Sequence, residues 1–431
     1  MKRVLTGIVA CVAWAAAAGA QAMAPAACPA EIKVEARCYA GADGRGGYFW
    51  IAIPAQWNRT LVVHTHGGPS MKAPTPDEPV SDLKRFALMV REGYAWAGSS
   101  YRHAGYGVQD AAEDTEALRA LFWKEFGKPE RTILHGQSWG ANVALRVAER
   151  AAPGVYDGVL LTSGIVAGGD LAYDFRADLR AVYQYYCHNL PLASEPSSAL
   201  WSAPLTSSEV QGKVNACLGT ALPAEKRTAA QARALRNIAR VVRIPESSVG
   251  AHMNWATVTF HDLTMRHLGG HNPFSNVGVV YAGSDDDAAL NKLVPRFAAT
   301  SEGRRRLKED SGVSGKVTVP TLTLHAIDDP TVFVEMEHEY RAKVEQAGGG
   351  ARLLQMFTRE AEHGRLAAPQ YAAVLASLMA WIRDGARPAP ASVVQKCEAY
   401  VGKYGEACHF DLQYQPAPLA TRVYARAWPA E

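Results

Sequence analysis

Ser138 stands between two glycines in Gly136-Gln-Ser-Trp-Gly140, after a short apolar, β-branched run (131–135) and before a segment (141–150) with Val143, Val147 and Ala148 at helical spacing. A strand that turns sharply into a helix at a serine presents the hydroxyl, and the first N–H groups of the helix face any anion forming beside it. The implied chemistry is nucleophilic attack on an acyl carbon, which needs a base to take the hydroxyl proton. A second apolar run (60–66) leads into Gly67-Gly68-Pro69, so the N–H groups of Gly68 and Trp139 are the expected pair that binds the developing oxyanion. Each such donor is worth about 3 kcal/mol. A run at 321–325 ends in Asp328-Asp329-Pro330, where Asp329 is the expected acid and Asp328 the alternative. A last run, 352–357, precedes Glu360-Ala-Glu-His363-Gly364, which makes His363 the expected base. The order along the chain is serine, acid, histidine.

Those residues need elements that bring them to one place. Strands are expected at 32–37, 48–53, 60–66, 94–101, 131–135, 156–162, 321–325 and 352–357, and helices at 81–92, 111–126, 141–150 and 369–384. Strands alternating with helices call for a mostly parallel sheet flanked by helices, an α/β class, with every candidate residue at a strand end. Between 168 and 315 the alternation stops, and this stretch is expected to be a helical lid inserted after the sixth core strand. The core is then 23–167 and 316–385. Residues 386–431 form an extension rich in proline.

Composition excludes several classes. In 431 residues the hydrophobic fraction is 48% and the net charge +3, so there is material for a large core and no basic field for nucleic acid. Lys2 and Arg3 before an apolar stretch, with small residues up to Ala22, read as a signal peptide over 1–22, which predicts a secreted or periplasmic product without a membrane anchor. Loss of Cys11 leaves six of the seven cysteines, an even number in an exported chain. Their spacing favours local disulfides, Cys28 with Cys38, Cys187 with Cys217, and Cys397 with Cys408, the last pair stapling the C-terminal extension.

His64 and His66 have the spacing of a zinc pair, but the Gly-Gly-Pro that follows lacks further ligands, so no metal and no cofactor is expected. Asp285-Asp286-Asp287 reads as an acidic helix start. The lid is aromatic. Trp255 and Tyr173 are the expected substrate contacts, in a cleft for an apolar or aromatic ester.

These motifs resemble the α/β-hydrolase superfamily throughout the core. His66-Gly-Gly-Pro69 together with Gly136-Gln-Ser-Trp-Gly140 is similar to the prolyl iminopeptidase branch, and Gly127-Lys-Pro-Glu-Arg-Thr132, Tyr281-Ala-Gly-Ser-Asp-Asp-Asp287 and His325-Ala-Ile-Asp-Asp-Pro330 resemble exported hydrolases termed prolyl-oligopeptidase-like. The resemblance implies a serine hydrolase acting on a small ester or short peptide. Carboxylic ester cleavage is the leading expectation, with aminopeptidase or amidase activity as the alternative and a non-catalytic binding protein as a minor third. Tannases and fungal-type feruloyl esterases carry cysteines just before the catalytic serine and histidine. Here those positions are Gln137 and Glu362, so the chain is expected to stand apart from that group. The oligomeric state is left open.

Overall fold

Nine strands form one sheet in the order β1-β2-β3-β5-β4-β6-β7-β8-β9 in a computed structural model that describes residues 23–429. The expected signal peptide lies outside the described residues. The strands are β1 (Ala24–Ala26), β2 (Ala36–Ala42), β3 (Tyr48–Pro54), β4 (Thr60–Thr65), β5 (Ala95–Ser99), β6 (Arg131–Gln137), β7 (Gly158–Thr162), β8 (Thr321–Ala326) and β9 (Leu353–Thr358). From β5 to β9 every neighbouring pair is parallel, whereas β1, β2 and β3 add antiparallel at one edge. Strands β4, β7 and β8 are buried at every residue, which is why they read as continuous apolar runs and not as alternations.

This is the α/β-hydrolase fold the sequence leads one to expect, with two local corrections. The expected first strand, 32–37, begins only at Ala36. Ile32 instead closes a 3-10 turn, Ala30–Ile32, buries its side chain, and is followed by Lys33 at φ 55°. The preceding β1 had no sequence signal at three residues. The expected helix 81–92 is two, Asp77–Arg85 and Ala87–Arg91, because Phe86 leaves helical geometry and turns its ring onto His64 and His135, both at 4.7 Å between ring centroids. The other three expected helices are found, at Val108–Phe126, Trp139–Arg150 and Ala368–Asp384.

Parallel strands place the loops after β4, β6, β8 and β9 along one edge of the sheet, where Gly68, Ser138, Asp329 and His363 all lie. Between β7 and β8 runs a helical region that includes Asp174–Cys187, Ser207–Leu218 and Ala229–Val242. Thr206 and Thr228 start the last two with reciprocal side-chain caps, and Cys187–Cys217 links the first two. Its apolar faces merge with the core on one side of the sheet. After Ala368–Asp384 a further helix, Pro390–Tyr404, packs against it and is tied by Cys397–Cys408. The chain then crosses to the helical region. There Tyr424 Oη donates to Val241 O, Ala427 N donates to Val277 O, and buried Arg426 bonds Asp178 at 2.7 Å. Among the described residues no helix is long and apolar enough to cross a membrane.

Candidate active site

Ser138 has φ 57° and ψ −127°, a conformation a non-glycine residue holds only when its surroundings enforce it. The enforcement comes from both sides. Ser138 N donates to Thr162 O at 3.1 Å, and Ser138 O accepts from Ala141 N and Ile165 N at 3.1 and 3.0 Å. The flanking glycines are required by contact. A Cβ on Gly136 would sit 2.6 Å from Gly140 O, and one on Gly140 would collide with Thr65 O. With no side chain at either position, the helix Trp139–Arg150 seats against the ends of β4 and β6.

His363 joins the serine to the acid. Its Nε2 lies 2.9 Å from Ser138 Oγ and its Nδ1 2.7 Å from Asp329 Oδ2. The network assigns the proton to Nδ1, so Nδ1–H donates to Asp329 and Nε2 accepts from the serine hydroxyl. The other Asp329 oxygen accepts from Thr331 N and Val332 N at 2.8 and 3.0 Å. Burial pushes this carboxyl up, but the hydrogen bond and charge of His363 and the neighbouring His325 outweigh it, and Asp329 is held below the usual aspartate range. Asp328, the alternative, is exposed and makes no side-chain bond to His363.

Gly67 lies against the serine, since a Cβ built there would be 3.6 Å from Ser138 Cβ. The N–H groups of Gly68 and Trp139, the expected oxyanion donors, have no backbone acceptor among the described residues. Beneath this turn His66 Nδ1–H donates to Asp82 Oδ2 at 2.5 Å, and His64 Nε2 lies 3.4 Å from the same oxygen. Burial lowers the His66 pKa but Asp82 more than restores it, so His66 is raised; Asp82, which burial alone would raise, is held far below its ordinary value by the two imidazoles. His64 and His135, 2.9 Å apart at Nδ1, are kept neutral by burial. The zinc-like spacing of His64 and His66 therefore serves an internal ion pair. Asp82 was not foreseen, because nothing local marks a partner 16 residues away.

Gln137 is the second residue missed as a site component. Its Nε2 donates to Gly364 O at 2.9 Å, and Arg85 Nη2 donates to the same carbonyl at 2.7 Å. Gly364 has φ +67°, and a Cβ there would strike both donors. The loop carrying the histidine is thus fastened directly to the residue before the serine. A cavity of about 930 Å³ opens beside His363, lined by Arg85, Glu360, Leu366, Glu406 and His409, but its wall includes neither Ser138 nor Gly68.

The expected substrate contacts both lie in the helical region. Trp255 begins a widened π-helical turn, Trp255–Thr259, and is half-buried. Tyr173 is buried and joins the serine turn through an edge-on chain of rings, Tyr173 to Tyr106 at 5.6 Å and Tyr106 to Trp139 at 5.8 Å. Between Tyr173 and Trp255 sits Arg176, a third unforeseen residue, with Cζ 5.0 and 5.2 Å from their ring centroids. The three expected disulfide pairs are formed.

A profile of a tannase-like family of unknown function matches residues 48–283, more than half of the chain. The chain belongs to this tannase-like family. The match is to a tannase-like family of unknown function, and the residues before Ser138 and His363 are not cysteines. They are Gln137 and Glu362, and a hydrogen bond from Gln137 fastens the histidine loop. Among curated proteins it is 32% identical to an o-phthalyl amidase of Xanthobacter agilis over 107 residues, 24% of this chain and 22% of the amidase. Similar solved structures include lipase A of Candida antarctica, with TM-score 0.45, 15% identity and 86% and 83% of the two chains covered. Feruloyl esterase B of Aspergillus oryzae gives TM-score 0.41, 12% identity and 82% coverage of each chain.

Proposed function

We propose that this member of the tannase-like family is a serine hydrolase that cleaves carboxylic esters through an acyl-enzyme intermediate. The observation that carries the reading is His363 placed within hydrogen-bond reach of both Ser138 Oγ and Asp329 Oδ2. As Ser138 attacks the acyl carbon, His363 Nε2 takes the hydroxyl proton and Asp329 stabilises the imidazolium. The N–H groups of Gly68 and Trp139 bind the oxyanion of the tetrahedral intermediate. His363 then returns the proton to the leaving alcohol. Water, deprotonated by the same histidine, releases the acid and restores Ser138.

The helical region acts as a lid that forms the acyl pocket, with Tyr173 and Trp255 in its wall. The three disulfides support an exported protein, secreted or periplasmic, because such bonds persist in oxidising compartments. Amide cleavage is the second reading, favoured by the match to the o-phthalyl amidase; the same residues serve it, with His363 protonating an amine.

Purified mature protein and its Ser138→Ala variant are assayed against p-nitrophenyl esters and aminoacyl p-nitroanilides. Turnover of esters that falls at least about 10⁴-fold in Ser138→Ala supports the esterase reading. Serine-dependent cleavage confined to anilides moves the protein to the amidases, and absence of both removes the hydrolase reading.

A further inference from the structure

Arg176 is a buried cation to which the mechanism gives no part. It is 4% exposed, and no aspartate or glutamate oxygen lies within 4 Å of it among the described residues. Its three nitrogens reach only neutral acceptors, each at the long end of the range: Nε to His252 Nδ1 at 3.3 Å, Nη1 to Ala172 O at 3.2 Å and Nη2 to Thr331 O at 3.3 Å. A guanidinium has five N–H donors, so two of them, one on each terminal nitrogen, have no acceptor. His252 adds no charge, because burial and Arg176 push its pKa down to about 3 while its Nε2–H donates to Pro330 O. Burial lowers Arg176 itself to about 10, which leaves it charged at neutral pH.

Two other arginines have buried side chains. Arg426 has Asp178 at 2.7 Å. Arg180, one helical turn beyond Arg176, likewise reaches only neutral acceptors, the carbonyls of Leu190, Ala199 and Leu200, but these lie within the helical region, away from the residues that bond Asp329. Arg176 alone among the three stands next to the candidate triad, since Thr331, whose carbonyl it holds, donates its own N–H to Asp329. Asp329 does not serve as its counter-ion, because both carboxylate oxygens are taken by His363 and by the two backbone N–H groups. A buried charge of this kind is costly unless a partner arrives.

We propose that Arg176 binds a carboxylate carried on the acyl part of the substrate, so that the preferred substrates are half-esters or half-amides of aromatic dicarboxylic acids. The inference rests on the hydrolase reading above and names its substrate class. The two unused N–H groups match the two oxygens of a carboxylate. Tyr173 and Trp255 flank the guanidinium, so an aryl ring joining the carboxylate to the scissile carbonyl meets aromatic surface on its way to Ser138. Trp255, the half-buried member of this group, marks the approach.

The test compares monomethyl phthalate with methyl benzoate, two esters that differ by the carboxylate, in the wild type, Arg176→Gln and Arg176→Lys, with Ser138→Ala as blank. The expected result is a higher kcat/KM for monomethyl phthalate in the wild type. In Arg176→Gln the ratio of kcat/KM for monomethyl phthalate over methyl benzoate falls about ten- to a hundredfold, and Arg176→Lys recovers part of that ratio. Methyl benzoate turnover also reports folding, so equal losses on both esters, or no change in their ratio, overturn the proposal. Should the wild type cleave neither ester, the failure belongs to the esterase reading. Calorimetric binding of monomethyl phthalate to Ser138→Ala and to Ser138→Ala/Arg176→Gln then decides Arg176, binding lost only in the double variant being the supporting outcome and equal binding or none the overturning one.

Discussion

The sheet edge that carries Ser138 and the helical region between β7 and β8 are held in different ways. At the sheet edge each functional residue sits one to five residues beyond a strand, so strand register fixes it and short hydrogen bonds finish the placement. The helical region has no strand to register on. It is anchored by long-range polar ties, above all the C-terminal segment whose Arg426 enters between Asp174 and Asp178 with 2% of its side chain exposed. The candidate site residues are positioned by a local, repeated device, whereas the helical region depends on contacts made by the far end of the chain.

That contrast can be broken most severely at the edge. Asp329→Asn is expected to lower kcat about 10⁴-fold by losing the acceptor that fixes the His363 tautomer, with little change in melting temperature, whereas Asp328→Asn leaves the rate within about twofold. Steady-state kinetics on a cleaved ester separates the two aspartates, and equal losses would contradict the assignment. Next comes the anchor. Arg426→Ala leaves Asp178 buried without its cation, while Asp174 keeps Arg304 at 3.7 Å, and is expected to cost about 3–5 kcal/mol in a denaturant titration. Limited proteolysis should then cut the helical region before the sheet, and simultaneous loss of both would show that they unfold as one unit.

The smallest expected effect comes from pH and falls on both regions. Burial keeps His64 and His135 of the sheet and His252 of the helical region below the ordinary histidine pKa, so each binds a proton on unfolding but not in the native state. The contribution of these three groups is therefore full above about pH 6.5 and declines as pH falls below it, by up to about 1.4 kcal/mol per pH unit for each histidine, whereas the raised His66 and His325 lose theirs as pH rises above about 6.5. His135→Gln should flatten the decline between pH 6.5 and 5 in urea titrations. An unchanged slope would place the acid sensitivity elsewhere.

Ser138, Asp329, His363 and Gly68 were legible in the sequence because each follows an apolar run and carries its own local signal, a glycine pair, a proline or a polar loop. The sheet was legible for the same reason, apart from its antiparallel edge, where β1 is three residues long and Ile32 belongs to a turn. Residues that act through distant partners were not legible. Gln137 reads as a filler inside a motif until Gly364, 227 positions later, supplies its acceptor. Arg176 sits among alternating charged residues of a helix that gives no hint of being buried all round, and its neighbours Tyr173 and Trp255 were selected on aromatic character alone. The order of helices between β7 and β8 has no repeating pattern from which to read it.

The fastening of Gln137 to Gly364 also joins two segments of the candidate site without a disulfide. None of the three disulfides includes a residue of the segments that carry Ser138, Asp329 or His363, so thiol reductants act on the N-terminal edge, the helical region and the C-terminal helix. The serine and histidine loops remain joined by an amide hydrogen bond that no reductant addresses. Reduction would reach the segment of His363 through the pairing of Phe410, two residues after Cys408, with Thr358, and would leave the Gln137 bond in place.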